Sequence, residues 1–453
     1  MNSMNIRLYN AKILTMEPDR PIFEGEIWIR DERIVAVISE EESQQEVRRE
    51  LQKKWQNGTQ KKTQMEAPEA WDLEYDCGRN LLMPGFKNAH THSPMTFLRS
   101  YADDLPLERW LYDKIFPMEA QLSSEDIYEL TKLAVLEYIS GGITSIFDMY
   151  VDSEAVARAC VEMGMRCVLV PGLNNFVSST KKVETEYVRL NQMDPLISYR
   201  LGFHAEYTCS EELLRGVAQL AHHYKAPVYM HLAETVKEVK ECQARYGMTP
   251  AVFLDSLGIF DYGGGGFHCV HMSDEDMKVF QERGLYVVTN PASNLKLASG
   301  IAPIAEYVKR RIPVAIGTDG PASNNSLDMF KEMYLVATLS KVRESDAASL
   351  NPDIVLNMAT VQGAGAMGLE NGDRLAPGKL ADLILIDLHQ PNMQPNFNCK
   401  SNLVYSAGTR NVKLTMIHGK IVFENGKFLV GEGAERIYET CNRILKKCLA
   451  KQK

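Results

Sequence analysis

The sequence predicts an α/β protein, a (β/α)8 barrel joined to a composite β-sandwich built from both ends of the chain. Three observations lead there. Between residues 81 and 318, eight short apolar runs alternate with segments of helical periodicity, the pattern of a parallel sheet with crossover helices. Runs of β character separated by turn residues lie before that region and again after about 372. The chain has 453 residues and is 45% hydrophobic, enough for one large core or two to three smaller ones. Eight strand–helix units suggest closure into a barrel of the TIM type.

In chain order, residues 1–80 supply the N-terminal part of the sandwich, with strands expected at 6–9, 11–15, 26–29 and 34–38. Residues 39–70 interrupt it. They are charged, rich in Gln and Lys and nearly free of β-branched residues, which reads as a surface helix or a partly ordered insertion with a solvated face. The barrel is expected over 81–371, with strands at 81–87, 143–148, 166–170, 200–204, 227–232, 265–270, 285–290 and 313–318. Between the first two, Ser123-Ser124-Glu125-Asp126 opens a helix as a capping box. Ile127, Leu130, Leu133, Leu136 and Ile139 keep helical spacing, and Gly141-Gly142 ends it. Further helices are expected at 211–223 and 327–342. Residues 372–453 return to β character at 379–387, 412–418 and 420–424, with turns at Gly419 and Asn425-Gly426, and close on a helix at about 433–449. No internal repeat is evident.

A net charge of −9 argues against nonspecific nucleic-acid binding, which needs a basic surface. No run of 18 apolar residues is present, so no membrane span is expected. The N-terminus lacks a signal-peptide apolar region, and the nine cysteines contain no Cys-x-x-Cys. Free thiols in the cytoplasm are therefore expected, with Cys160/Cys167 and Cys441/Cys448 each on one helix face as packing groups.

The stretch that organises the chain is Leu81-Leu-Met-Pro-Gly-Phe-Lys-Asn-Ala-His90-Thr-His92. On a strand, residues i and i+2 share a side, so two imidazoles aim at one point. A barrel carries its active site at the C-terminal ends of its strands. The other strand ends hold His204, His231 and Glu234, His268 and His271, and Asp319. Six of the ten histidines fall there. Three histidines and a carboxylate suit a divalent metal with an open position for water. Such a metal makes a nucleophile available near neutral pH, and Glu234 is placed to protonate a leaving group or a ring nitrogen. No lysine lies in 200–204 to bridge a second metal, so one metal is expected.

Pro84-Gly-Phe-Lys-Asn-Ala-His-Thr-His92, His231-Leu-Ala-Glu234, His268-Cys-Val-His271, Asn290-Pro-Ala-Ser-Asn-Leu-Lys-Leu297 and Gly317-Thr-Asp-Gly-Pro-Ala-Ser-Asn-Asn-Ser326 resemble the amidohydrolase superfamily. Within it they look like the 5'-methylthioadenosine/S-adenosylhomocysteine deaminases, from about residue 80 to 425. The resemblance implies a single zinc-type metal, with Fe2+ or Mn2+ as alternatives, and hydrolytic loss of ammonia from the adenine ring of a small-molecule nucleoside. It implies His90, His92, His231 and Asp319 as metal ligands and Glu234 as the acid for purine N1. His268 would orient the attacking water and Asp319 would accept its proton. His204 would contact the purine, Glu119 the ribose hydroxyls and Ser323 the base. His271 is expected to be structural, and 290–294 to shape the site through backbone and amide contacts. A homo-oligomer is expected.

The chain departs from the resemblance in one place. Family members that recognise the homocysteine carboxylate carry an arginine just after strand three. Here Val168-Leu-Val-Pro-Gly-Leu173 stands there, and Lys181 and Lys182 follow as point charges. A neutral 5' group, as in adenosine, 5'-deoxyadenosine or methylthioadenosine, becomes the expected choice. Deamination of guanine or a pterin and dechlorination of a triazine are the alternative reactions of such a site. A non-catalytic scaffold is the alternative from another class. The cytidine-deaminase set of metal ligands is absent from the sequence.

Overall fold

The computed structural model describes residues 3–42, 44–56, 68 and 70–451. Among these residues, eight parallel strands form the barrel: β1 (Phe86–Thr91), β2 (Ile143–Tyr150), β3 (Arg166–Pro171), β4 (Ile197–Tyr199 and Leu201–Ala205), β5 (Val228–Leu232), β6 (Gly264–His268), β7 (Tyr286–Thr289) and β8 (Val314–Ile316). The strands pair in parallel as two arcs, β1 to β4 and β4 to β8, because β4 bends at Arg200 and pairs with β3 through its first part and β5 through its second. Hydrogen bonds join the arcs. The Arg200 N–H donates to Leu169 O (2.8 Å) and the His204 N–H to Leu173 O (2.8 Å). On the other side the Asp319 N–H donates to His90 O (3.0 Å), closing β8 on β1.

The barrel is packed rather than hollow. Ala89, Phe147, Val168, Tyr229, Phe267, Val288 and Ala315 fill it in a buried cluster, and Ala366 and Met367 belong to the same cluster. The Tyr229 hydroxyl donates to the Ala366 carbonyl. Apolar side chains alternating with outward ones on every strand make this layer.

The two ends of the chain form one nine-stranded sheet among the described residues, with both halves hydrogen-bonded across its middle. Leu383–Ile386, from the C-terminal half, pairs antiparallel with Leu81–Pro84, and Leu81–Pro84 pairs with Asn5–Ile13. Ile27 and Ile29 of one half share a buried cluster with Leu385, Leu414 and Met416 of the other. These strands lie several places apart in the sheet, so the sheet curls around its own core.

That pairing corrects the expected strand at 81–87. The apolar run is two strands, with Leu81–Pro84 in the terminal sheet and Phe86–Thr91 in the barrel. Gly85 is the joint. A Cβ there would lie 2.1 Å from Thr144 Cγ2, so only glycine lets the chain pass between the layers. The strands expected at 6–9 and 11–15 are one strand, Asn5–Ile13, whose register shifts at Asn10 (φ 54°). The expected run at 379–387 shortens to Leu383–Ile386. Of the 39–70 insertion, Gln44–Gln56 is helical, while 57–67 and 69 lie outside the described residues.

The helix Ser124–Ser140 forms as its sequence signals require. The Ser123 hydroxyl accepts from the Asp126 N–H (3.2 Å), and an Asp126 carboxylate oxygen accepts from the Ser123 N–H (2.8 Å). It backs the turn Ser93–Leu98 that follows His92, with the Thr96 hydroxyl donating to Leu130 O (3.1 Å).

Candidate active site

At the C-terminal ends of the barrel strands the histidines and Asp319 converge. His90, His92 and His231 form one group of possible metal ligands, and His90, His268 and Asp319 another; within each group one ligand atom per residue lies within 4.8 Å of the others. Asp319 Oδ1 is 3.2 Å from His92 Nε2 and 3.6 Å from His90 Nε2. The rings are locked from behind. His92 Nδ1–H donates to Met149 O (2.6 Å), His231 Nδ1–H to His204 O (2.7 Å) and His268 Nδ1–H to Asn294 Oδ1 (2.7 Å). Each bond leaves Nε2 facing the centre, the arrangement that orients metal-ligating histidines. Asp319 Oδ2 accepts from Ser293 Oγ (2.5 Å) and Ser323 Oγ (2.8 Å), and Oδ1, which accepts from the Gly320 N–H (2.7 Å), is the oxygen turned toward the histidines.

His90 supplies the test of fit to a metal. Its ring is fully buried and stacked on Phe267 (centroids 3.9 Å apart), yet neither ring nitrogen has a hydrogen-bond partner. Burying an imidazole unpaired costs free energy that a metal–nitrogen bond recovers. Burial, reinforced by its neighbours, holds His90 and His231 well below their ordinary pKa, so both stay neutral as ligation requires. His92 runs the other way. Burial opposes its charge, but the hydrogen bond and charge of Asp319 outweigh that and lift it to about 9. Asp319 is held well below the ordinary carboxylate range, burial being outweighed by His92 and the other histidines. The pair thus carries one charge of each sign, and a metal held by His92 would take the place of the proton on Nε2.

Glu234 flanks this centre. Its Oε2 lies 3.9 Å from His268 Nε2, and its Oε1 accepts from Ser299 Oγ (3.2 Å). Burial raises its pKa, partly offset by His268, and so favours the protonated acid. The turn carrying it is pinned by Glu238, whose two oxygens accept from the Ala233 N–H (2.6 Å) and the Glu234 N–H (2.8 Å).

A cavity opens over these groups. Glu119, His204, Tyr150 and Asn174 line it with an apolar cover of Leu107, Trp110, Leu111 and Phe116. Glu119 Oε1 has no hydrogen-bond partner, and burial pushes the carboxyl up to about 7, with Tyr150 and His92 pulling against it. Burial and the charge of His92 lower His204 to about 4, so its ring is neutral. No lysine or arginine lines the cavity among the described residues. Lys182 instead sits outside, on Val151 O (3.3 Å) and near Glu186 (3.5 Å).

Ser323, expected at the base, lies behind Asp319. Its hydroxyl donates to Asp319 Oδ2 and lies 3.1 Å from Gly320 O, and it does not line the cavity. His271 donates to Ser299 O (2.6 Å) from the far side of the same loop. Ser293, Ser299 and Glu238 also hold the site, on Asp319, Glu234 and the Glu234 turn. Ser293 lies inside a quoted motif, but nothing in the residue types marks Ser299 or Glu238, whose roles appear only once the loops fold.

A barrel closed at a cluster of histidines and one aspartate, with a buried acid beside it, defines a metal-dependent hydrolase. The chain belongs to the amidohydrolase family, which residues 81–422 match. It is 39% identical over 379 residues to a 5'-deoxyadenosine deaminase of Methanopyrus kandleri, covering 82% of this chain and 88% of that one. It is 42% identical over 388 residues to a 5-methylthioadenosine/S-adenosylhomocysteine deaminase of Moorella thermoacetica, covering 84% and 90%. Among solved structures, a zinc-bound adenosine deaminase from Xanthomonas campestris superposes with a TM-score of 0.86 at 30% identity, covering 99% of this chain and 98% of that one.

Proposed function

We propose that this protein hydrolytically deaminates the adenine ring of adenosine-type nucleosides, giving the inosine analogue and ammonia. One observation carries the reading. Glu234 is a buried acid with one oxygen turned toward the histidine–aspartate centre, and the cavity over it is lined by Glu119, whose Oε1 is buried without a hydrogen-bond partner. The relatives named above support it. His90, His92, His231 and Asp319 would hold one divalent metal, zinc by the nature of the donors, with Fe2+ or Mn2+ as alternatives. When bound, the metal supplies a water acidic enough to act as nucleophile near neutral pH.

The chain's own groups do the rest. Asp319 takes one proton from the water, and His268 Nε2 aims it at C6. Glu234 Oε2 gives its proton to purine N1, so charge does not build on the ring as C6 becomes tetrahedral. The new hydroxyl then returns a proton to Glu234, and Asp319 protonates the departing amine. His204 meets the purine and the Glu119 carboxyl accepts from the ribose hydroxyls. The absence of cationic lining among the described residues favours a neutral 5' group, as in adenosine, 5'-deoxyadenosine or methylthioadenosine, over the carboxylate of S-adenosylhomocysteine. Residence in the cytoplasm and a homo-oligomeric state belong to the same reading. Cell fractionation and light scattering test these two.

The functional test is a side-by-side assay of ammonia release from adenosine, 5'-deoxyadenosine, methylthioadenosine, S-adenosylhomocysteine and guanine. Turnover of the neutral nucleosides above the others is expected. Ammonia from guanine alone overturns the reading.

A further inference from the structure

The loop after β7 holds His268 and Glu234 at once. Asn294 accepts from His268 Nδ1–H, and six residues of chain form a tight turn whose Ser299 N–H returns to Asn294 O (2.8 Å). Ala298 takes φ 55° and Gly300 φ 130° to make that turn. A Cβ on Gly300 would lie 3.0 Å from Val270 Cγ1 and 3.4 Å from His271 Cε1. His271 clamps the turn by donating to Ser299 O (2.6 Å). Ser299 is buried, and its hydroxyl donates to Oε1 of Glu234 (3.2 Å).

A carboxylic acid has one hydroxyl oxygen and one carbonyl oxygen, and the carbonyl oxygen accepts. We propose that Ser299 is a positioning residue for the acid. By donating to Oε1 it makes that oxygen the acceptor and leaves the transferable proton on Oε2, the oxygen that faces His268 across the site. His271 acts through Ser299, holding the turn that sets its hydroxyl. This assignment rests on the deaminase reading. Without Ser299 the carboxyl is free to rotate and to carry its proton on either oxygen, so turnover falls while nucleoside binding, made elsewhere in the cavity, persists.

The test is steady-state kinetics on the full chain, with metal content measured for each variant. In Ser299→Ala, kcat is expected to fall roughly tenfold, a part of the 10²–10⁴ that a placed acid contributes, with KM within about twofold and metal content unchanged. Ser299→Thr restores the hydroxyl and most of kcat. His271→Ala lowers kcat less, and adds no further loss on top of Ser299→Ala, because it works through that hydroxyl. Parental kcat in Ser299→Ala, a joint loss of kcat and KM, an inert Thr variant or additive losses each overturn the assignment. Should the alanine variant fail to fold, Ser299→Gly, which likewise has no side-chain donor, takes its place, and parental kcat there overturns it too. An inactive parent overturns the deaminase reading and this assignment with it. An active parent with a silent Ser299→Ala overturns the assignment alone.

Discussion

Glu234 is the residue on which the chemistry turns. Glu234→Gln keeps size and hydrogen bonding but has no acidic proton, so it should retain metal and lose turnover by 10²–10⁴, roughly the contribution of a placed acid. Turnover within tenfold of the parent would remove the assigned role. Glu119 makes a pH prediction. Its carboxyl is near 4.5 in the unfolded chain and pushed to about 7 in the fold, so the folded state holds a proton that the unfolded chain releases between those values. This group's contribution to stability is whole below about 4.5 and is lost as pH rises toward 7. Glutamine does not titrate, so the Tm of Glu119→Gln minus that of the parent should grow across that window. A flat difference would contradict it. At this scale the sequence was informative wherever geometry is local. Two histidines on one strand face, and a glutamate three residues past a strand-end histidine, declare themselves by spacing. Ser299 and Glu238 do not, because what they touch is set by loops that bring distant residues together.

The elements carry the second kind of information. The capping box at Ser123 was readable because a cap is a local hydrogen-bond exchange within four residues. The loss of it in Ser123→Ala should cost about 1 kcal/mol, seen in the denaturation midpoint at unchanged slope. Because the cap lies at the opposite end of the helix Ser124–Ser140 from Tyr138, whose hydroxyl is hydrogen-bonded with Thr91 (2.8 Å) and Ser93 (3.0 Å), kcat should hold, and a large loss of activity at intact stability would show that the capped end does more. The strands at the layer crossing were less readable. An apolar run reads the same whether it serves one sheet or two, so the break at Gly85 was visible only as a glycine, without its meaning. The strand at Asn5–Ile13 looked like two for the converse reason. Asn10 signals a turn, but here it makes an irregularity inside a continuous ladder.

Across the whole molecule, the barrel and the terminal sheet are joined by a charged contact in the core. Arg166, the first residue of β3, pairs with Asp382 at 2.6 Å, and both are almost wholly buried. The His418 N–H donates to the same carboxylate (2.7 Å), and Lys87 lies buried close by on Thr144 Oγ1 (2.8 Å). Removing one partner of a buried pair strands the other charge. Asp382→Ala should therefore lose about 3–5 kcal/mol, measured by calorimetry, while a paired exchange to Arg166→Met and Asp382→Leu should lose much less. Equal losses in both would mean that packing, and not charge, sets the cost. The alternation of strands and helices made the barrel legible from sequence, since each unit announces its own period. The long-range pairing of the two ends was only inferable, because nothing local says which strand lies beside which.

The closure of β8 on β1 has a consequence in time. The His90 carbonyl and the Asp319 N–H form the seam of the barrel, and the side chains of the same two residues face each other as candidate ligands. They are more than two hundred residues apart in the chain, so a ribosome finishes the first histidines long before the aspartate. An ion captured by the complete set fastens the seam and stabilises the folded form by mass action. The complete set would exist only once the last strand has docked, so such an ion would act as a clasp on the closed barrel more than as a seed around which folding begins.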